Sequence, residues 1–228
     1  MAVNSDPPLE VLRKALEVAR QVGDYRLAGD VAVSIALQLI KEKNFPLATR
    51  LLKVAREYYQ RDKHPDALKH SRVRLMEAEG VMAWEKGQRK RAREILYRAR
   101  RHALTSQPQL LYRVDQSLST LLEKEHRLKE SLDYAKEAYN AAAASGFNRD
   151  RAFGLLRLYE LYYTLGQLKN AYLALEASLV VARRLQDVKL IDTIQKLRKK
   201  LLREYTPEES EEEKGREKGQ SQAPHVSA

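Results

Sequence analysis

Four stretches of this sequence repeat one pattern in phase, and that pattern limits what the chain can fold into. Lys43-Asn-Phe-Pro-Leu-Ala48 is followed by Leu52 and Ala55, and Gly87-Gln-Arg-Lys-Arg-Ala92 by Leu96 and Ala99. His126-Arg-Leu-Lys-Glu-Ser131 leads to Ala135 and Ala138, and Gly166-Gln-Leu-Lys-Asn-Ala171 to Leu175 and Ser178. Their first residues stand 44, 39 and 40 positions apart. Each stretch has a turn residue, a small residue five later, and then large and small side chains on one helical face. The turn reverses the chain, the small residue lets the second helix approach the first, and the larger one fills the next gap. A hairpin of this kind buries its apolar face only by stacking on its neighbours. The expected architecture is therefore all-α, a superhelical solenoid of antiparallel helix hairpins.

The rest of the body agrees with that reading. Apolar residues recur at three- and four-residue spacing, with no sustained alternation of the kind a strand requires. Asp6 and Pro7 read as the start of a first helix carrying Val11, Leu12, Ala15, Val18, Ala19 and Val22 on one stripe. Pro46, Pro65 and Pro108 stand where helices begin, and none interrupts a periodic run. The expected plan is a flexible start at 1–6, a partial repeat at 7–22, hairpins at 25–60, 65–104, 108–145 and 149–185, and a capping helix at 187–205. Beyond it, 206–228 contains no Leu, Ile, Phe, Tyr, Trp or Met and holds six acids against three bases. Such a segment reads as a disordered charged tail.

The repeats resemble the tetratricopeptide family in its variety of about 40 residues. Gly87 and Gly166 match that family's turn glycine, Gly80 its helix-A glycine, and Ala48, Ala92 and Ala171 the first alanine of helix B. Phe45 and Leu168 match the residue packed beside the turn. The chain departs from the pattern at the signature tryptophan, where it has Ala32, Met76, Asp115 and Leu155, and at the turns Lys43 and His126. The resemblance spans roughly residues 7–205 and implies a right-handed superhelix whose A helices line a concave groove for peptides or partner helices. Carried over repeat by repeat, the groove positions are Asp30, Val33, Leu37 and Lys41; Arg74, Glu77, Val81 and Trp84; Arg113, Gln116, Thr120 and Glu123; and Phe153, Leu156, Glu160 and Tyr163. Trp84, Phe153 and Tyr163 are the aromatic anchors among them. Packing between repeats is the competing use for Trp84 and Phe153. The Lys/Asn clamp with which some relatives grip a chaperone's C-terminal carboxylate is missing at Val33, Leu37, Glu77, Val81, Gln116 and Thr120.

Charge and composition narrow the function classes. The 228 residues carry a net +11 and no cysteine, which removes disulfides, thiolate metal sites and cysteine nucleophiles. The tail is acidic by three charges, so the body is more basic than the whole, at +14. The most basic stretch, Gln88 to His102, suggests an outward face of Lys90, Arg93, Tyr97, Arg100 and Arg101. That face is either a phosphate-binding ridge with a stacking tyrosine or a solvated surface in which Glu94 bridges Lys90 and Arg98. No dinucleotide, P-loop, zincin or EF-hand motif is present, and a solenoid lacks the closed cleft that shifts pKa values. No signal sequence or membrane-spanning stretch appears, so a cytoplasmic location is expected. The sequence thus points to a non-catalytic scaffold without metal or cofactor, and to a protein or peptide partner with an acidic face. A nucleic-acid-associated protein and a peptide-sensing regulatory domain are the alternatives.

Overall fold

The computed structural model describes residues 9–207. The expectations for Asp6, Pro7 and the acidic tail beyond Pro207 lie outside the described residues. Among the described residues ten α-helices follow one another: α1 (Leu9–Gln21), α2 (Tyr25–Lys41), α3 (Phe45–Arg61), α4 (Ala67–Glu85), α5 (Arg89–Ser106), α6 (Leu111–Lys124), α7 (Leu128–Ala144), α8 (Asn148–Thr164), α9 (Leu168–Arg184) and α10 (Val188–Leu201). A short 3₁₀ turn at Pro108–Leu110 leads into α6. No strand occurs among the described residues. The tightest pairs are α2/α3, α4/α5, α6/α7 and α8/α9, and each helix also packs on the next, so the chain is an all-α solenoid of hairpins. No described helix is long and apolar enough to cross a membrane.

The hairpins close as the repeated residues require. Ala48, Ala92, Ser131 and Ala171 are all fully buried at the helix crossings, and Leu52, Leu96, Ala135 and Leu175 are buried one turn later. Gly80 shows how little room remains, because a Cβ there would lie 2.7 Å from the Leu96 side chain. Gly29 on α2 faces the Tyr59 ring of α3 just as closely, at 2.6 Å. The third repeat departs in chemistry. Ser131 donates to the Ser119 carbonyl at 2.8 Å, and the two hydroxyls lie 3.1 Å apart, so a small polar seam separates the α4–α6 core from the α7–α10 core.

One capping device recurs at the turns. The Gln88 N–H donates to the Ala83 carbonyl (2.9 Å) and the Gly87 N–H to Trp84 (2.8 Å), with Gly87 in the left-handed region at φ 79°. Lys43 and His126 make the same pair of bonds at φ 61°, so they are strained equivalents of Gly87 rather than a different turn. The device also closes the turns between hairpins at Gly23, Gly146 and Gln186. From His126 onward it falls every 20 residues, at 126, 146, 166 and 186. Two turns break the rhythm. At Asp62–Asp66 helix α3 ends on an extended residue (φ −70°, ψ 118°), and at Gln107 the chain enters the 3₁₀ turn. These account for the uneven 44- and 39-residue spacings in the sequence.

Candidate interaction groove

Helices α2, α4, α6 and α8 form the inner row. A cavity of about 440 Å³ opens between Leu37 and Lys41 of α2, Val81 and Trp84 of α4, and Arg113, Gln116, Thr120 and Leu121 of α6. A second, of about 240 Å³, shares Leu37, Arg113 and Gln116 and is completed by Leu12, Tyr112, Arg149, Asp150 and Phe153. The row therefore curls tightly enough for the first hairpin and α8 to wall one space. Trp84 is half-buried with the Arg89 guanidinium over its ring at 5.5 Å, and Phe153 carries Arg149 in the same way at 5.8 Å. Trp84, Arg113, Gln116 and Phe153, expected in the groove, are thus brought together.

Arg74 is elsewhere. It is 1% exposed, enclosed between α2, α3 and α4, where its Nε donates to Asp30 at 3.2 Å and a terminal nitrogen pairs with Glu77. Asp30 also accepts from the Tyr59 hydroxyl (2.7 Å) and from His70 Nε2 (2.9 Å). Burial by itself would raise the Asp30 pKa. The His70 hydrogen bond and the Arg74 charge outweigh it and hold the carboxyl well below the usual carboxylate range. Burial likewise opposes the Arg74 charge, but Glu77 and Asp30 hold it protonated. Glu77 sits at the cavity floor, 5% exposed and committed to Arg74, so it offers a partner little. Val33 and Leu156, also expected in the groove, are core residues.

At the other end the expected residues are tied up differently. Arg157 spans α6 and α8, 2.8 Å from Glu123 and 3.5 Å from Glu160, with weak donation to Ser119. Burial raises the Glu160 pKa against the opposing pull of Arg157. Tyr163 donates to Glu204 at 2.7 Å and has the Lys200 ammonium over its ring at 5.0 Å, so the segment around the end of α10 covers it. The Glu204 bond pushes its hydroxyl pKa up. Sequence reasoning missed Tyr112, whose ring stacks under Arg113 at 5.1 Å and lies against Phe147 with centroids 5.5 Å apart. An aromatic residue next to a groove arginine was the available signal.

The basic face divides in two. Lys90 and Arg101 are exposed as expected. Arg93 turns inward to Glu125, and Arg100 donates to Asp115 at 2.6 Å and lies 5.4 Å over the Tyr134 ring. Tyr97 is half-buried beside Tyr134, with ring centroids 6.2 Å apart. The sequence pattern counted these as outward because it left α6 and α7 out of account. Glu94 makes no ion pair among the described residues, so the bridge to Lys90 and Arg98 is not formed. Asp115 is fully buried, with Oδ2 lacking a partner, and burial raises its pKa to about 6 despite Arg100. No described cluster of His, Asp and Glu is arranged to hold a metal ion.

The fold and the lined inner row define an all-α hairpin solenoid with an open groove. No family model matches the sequence, and no curated protein matches it. Among solved structures the chain is similar to BtubC (BKLC) from P. vanneervenii, at 15% identity and a TM-score of 0.53. The likeness covers 88% of this chain and 93% of that one, and it bears on the fold.

Proposed function

We propose that the chain is a non-catalytic interaction scaffold of tetratricopeptide type that binds an extended peptide or partner helix in the groove of α2, α4, α6 and α8. The observation that carries this reading is the cavity of about 440 Å³, with Leu37, Val81 and Trp84 as its apolar wall and Arg113 at its mouth. Arg113 forms no ion pair among the described residues, while Lys124, which also lines the cavity, is paired with Glu85 at 3.1 Å. A half-desolvated guanidinium between an apolar wall and water favours a carboxylate on the ligand. The partner's contacting face is therefore acidic with apolar anchors. The nucleic-acid reading loses support, since Tyr97, the base-stacking candidate, packs against Tyr134.

Trp84 is the single tryptophan of the chain and stands in the wall, so it reports on occupancy directly. Peptides selected from a random library should shift its emission on binding. Arg113→Glu or Thr120→Arg should weaken them at least about tenfold, a loss of about 1.4 kcal/mol. Selected peptides that leave Trp84 emission unchanged and bind both variants equally would exclude the groove.

A further inference from the structure

The turns that join each inner helix to its outer partner lie in one row along an edge of the solenoid. Lys86 sits 5.1 Å over the Phe45 ring, tying the α4 end to the α2–α3 turn. Lys124 reaches Glu85 at 3.1 Å and Arg93 reaches Glu125, tying the next two turns together. The α8–α9 turn completes the row, with Arg157 of α8 bridging back to Glu123 near the end of α6.

This edge is cationic and underpaired. Lys43, Lys90, Arg91, Lys129 and Lys169 are exposed on it, and none forms an ion pair among the described residues. Three of its glutamates are taken, Glu85 by Lys124, Glu125 by Arg93, and Glu130 by Arg127, while Glu42 and Glu94 form no ion pair among the described residues. The opposite edge is built differently, with Asp24, Asp62, Asp66, Asp150 and Asp187 interleaved among its cations. The opposite edge also exposes cations without ion pairs among the described residues, Arg20, Lys63, Arg183, Arg184 and Lys189 among them, so the first edge is singled out by what leaves the structure beside it.

The chain leaves the described structure on that same side. Glu204 is bonded to Tyr163 at 2.7 Å, and Tyr205 stacks on Tyr172 of α9 at 5.9 Å, which fixes Pro207 near the α8–α9 end of the row. Immediately after it come Glu208, Glu209, Glu211, Glu212 and Glu213. We infer that the edge is a carboxylate-binding surface and that its occupant is this acidic segment of the same chain. At about 3.4 Å per residue, Glu213 reaches about 20 Å from Pro207 and Glu217 about 34 Å. Helices pack 8–10 Å apart, so the row is within range from Lys169 through Lys129 to Lys90 and Arg91. Each exposed pair is weak, but tethering makes the encounter intramolecular, and several pairs act together. The contact belongs to the edge and stands apart from the groove.

Because the chain has no cysteine, a nitroxide placed through Gly215→Cys is the sole spin label. Tethering alone puts the label near Lys169, so the diagnostic amides are those of Lys129 and Lys90. In about 25 mM salt, where charges act over about 20 Å, these signals should broaden at least twofold in the full chain, while those of Asp24 and Asp150 on the opposite edge should not. The effect should vanish near 1 M salt, after exchange of Glu208, Glu209, Glu211, Glu212 and Glu213 for Gln, and in Lys90→Glu/Lys129→Glu. Broadening that is equal on both edges, absent at low salt, unchanged by either set of substitutions, or lost on dilution with unlabelled protein would overturn the inference.

Discussion

Asp30, Arg74, Arg113 and Phe153 occupy one position of the repeat, each 13 residues before its turn residue, yet the two arginines have opposite surroundings. Around Arg74, α4 packs directly on α2, and Asp30 and Tyr59 close over the guanidinium. Around Arg113, α6 packs less closely on α4, and α8 meets α6 through Arg157 and through the Tyr112 ring on Phe147 rather than by backbone approach. The first junction is sealed by a buried ionic cluster, and the later ones leave their arginine facing a cavity. A repeat position therefore fixes the direction in which a side chain points. Whether that direction is core or surface depends on how close the next inner helix comes.

Removing the central carboxylate tests the difference most sharply. Asp30→Ala should cost about 3–5 kcal/mol, because Arg74 stays buried with half its compensation gone. Arg113→Ala should cost no more than about 0.5 kcal/mol. Chemical denaturation of the two variants measures both, and similar losses would erase the distinction between the junctions.

The close approaches differ in the same sense. Gly80→Ala drives a methyl to 2.7 Å from Leu96 and should cost about 1–3 kcal/mol. Gly154→Ala on α8 meets Tyr139 no closer than 3.5 Å and should be neutral or stabilise by up to about 1 kcal/mol through helix propensity. Thermal melts of the pair decide it.

The two buried aspartates should pull pH-dependent stability in opposite directions. Asp30 is held below the usual range, so its contribution is present above about pH 4 and declines as the pH falls further. Asp115 is raised to about 6, so its folded state keeps the proton, and that contribution is complete below about pH 4 and lost as the pH rises through 6. Urea midpoints between pH 2 and 7 should show the upper slope disappear in Asp115→Asn while the acid limb persists. An unchanged upper slope would remove Asp115 as its source.

The smallest effects concern the strained turns. Lys43→Gly and His126→Gly should each stabilise the chain by about 0.5–1 kcal/mol, whereas Gly87→Ala should destabilise it, all readable as shifts in melting temperature.

The helices were legible because their signals are local. Ala48, Ala92, Ser131 and Ala171 announce the hairpin crossings, and Gly87 and Gly166 announce the turns. Even Lys43 and His126 were placed correctly as turn residues, since their neighbours kept the pattern. Part of the groove was legible for the same reason, as Trp84, Arg113 and Gln116 follow from helix phase. What was hidden depends on distance between helices that are remote in sequence. Nothing near Arg74 says that Asp30, 44 residues earlier, will cover it, and nothing near Arg100 says that Asp115 and Tyr134 will turn it inward. Helix phase sorts faces, and tertiary packing decides which faces stay open.

The even 20-residue beat of left-handed caps at 126, 146, 166 and 186 has a consequence for how such a chain can grow. Inner-to-outer and outer-to-inner turns there are the same joint, so the joints do not mark where one hairpin ends and the next begins. Duplicating a single helix would preserve every joint and yet exchange inside and outside for everything downstream. Only an even number of added helices keeps the ligand-facing row continuous. The parity of the helix count is thus a heritable switch on binding surface, while the joints themselves are indifferent to it.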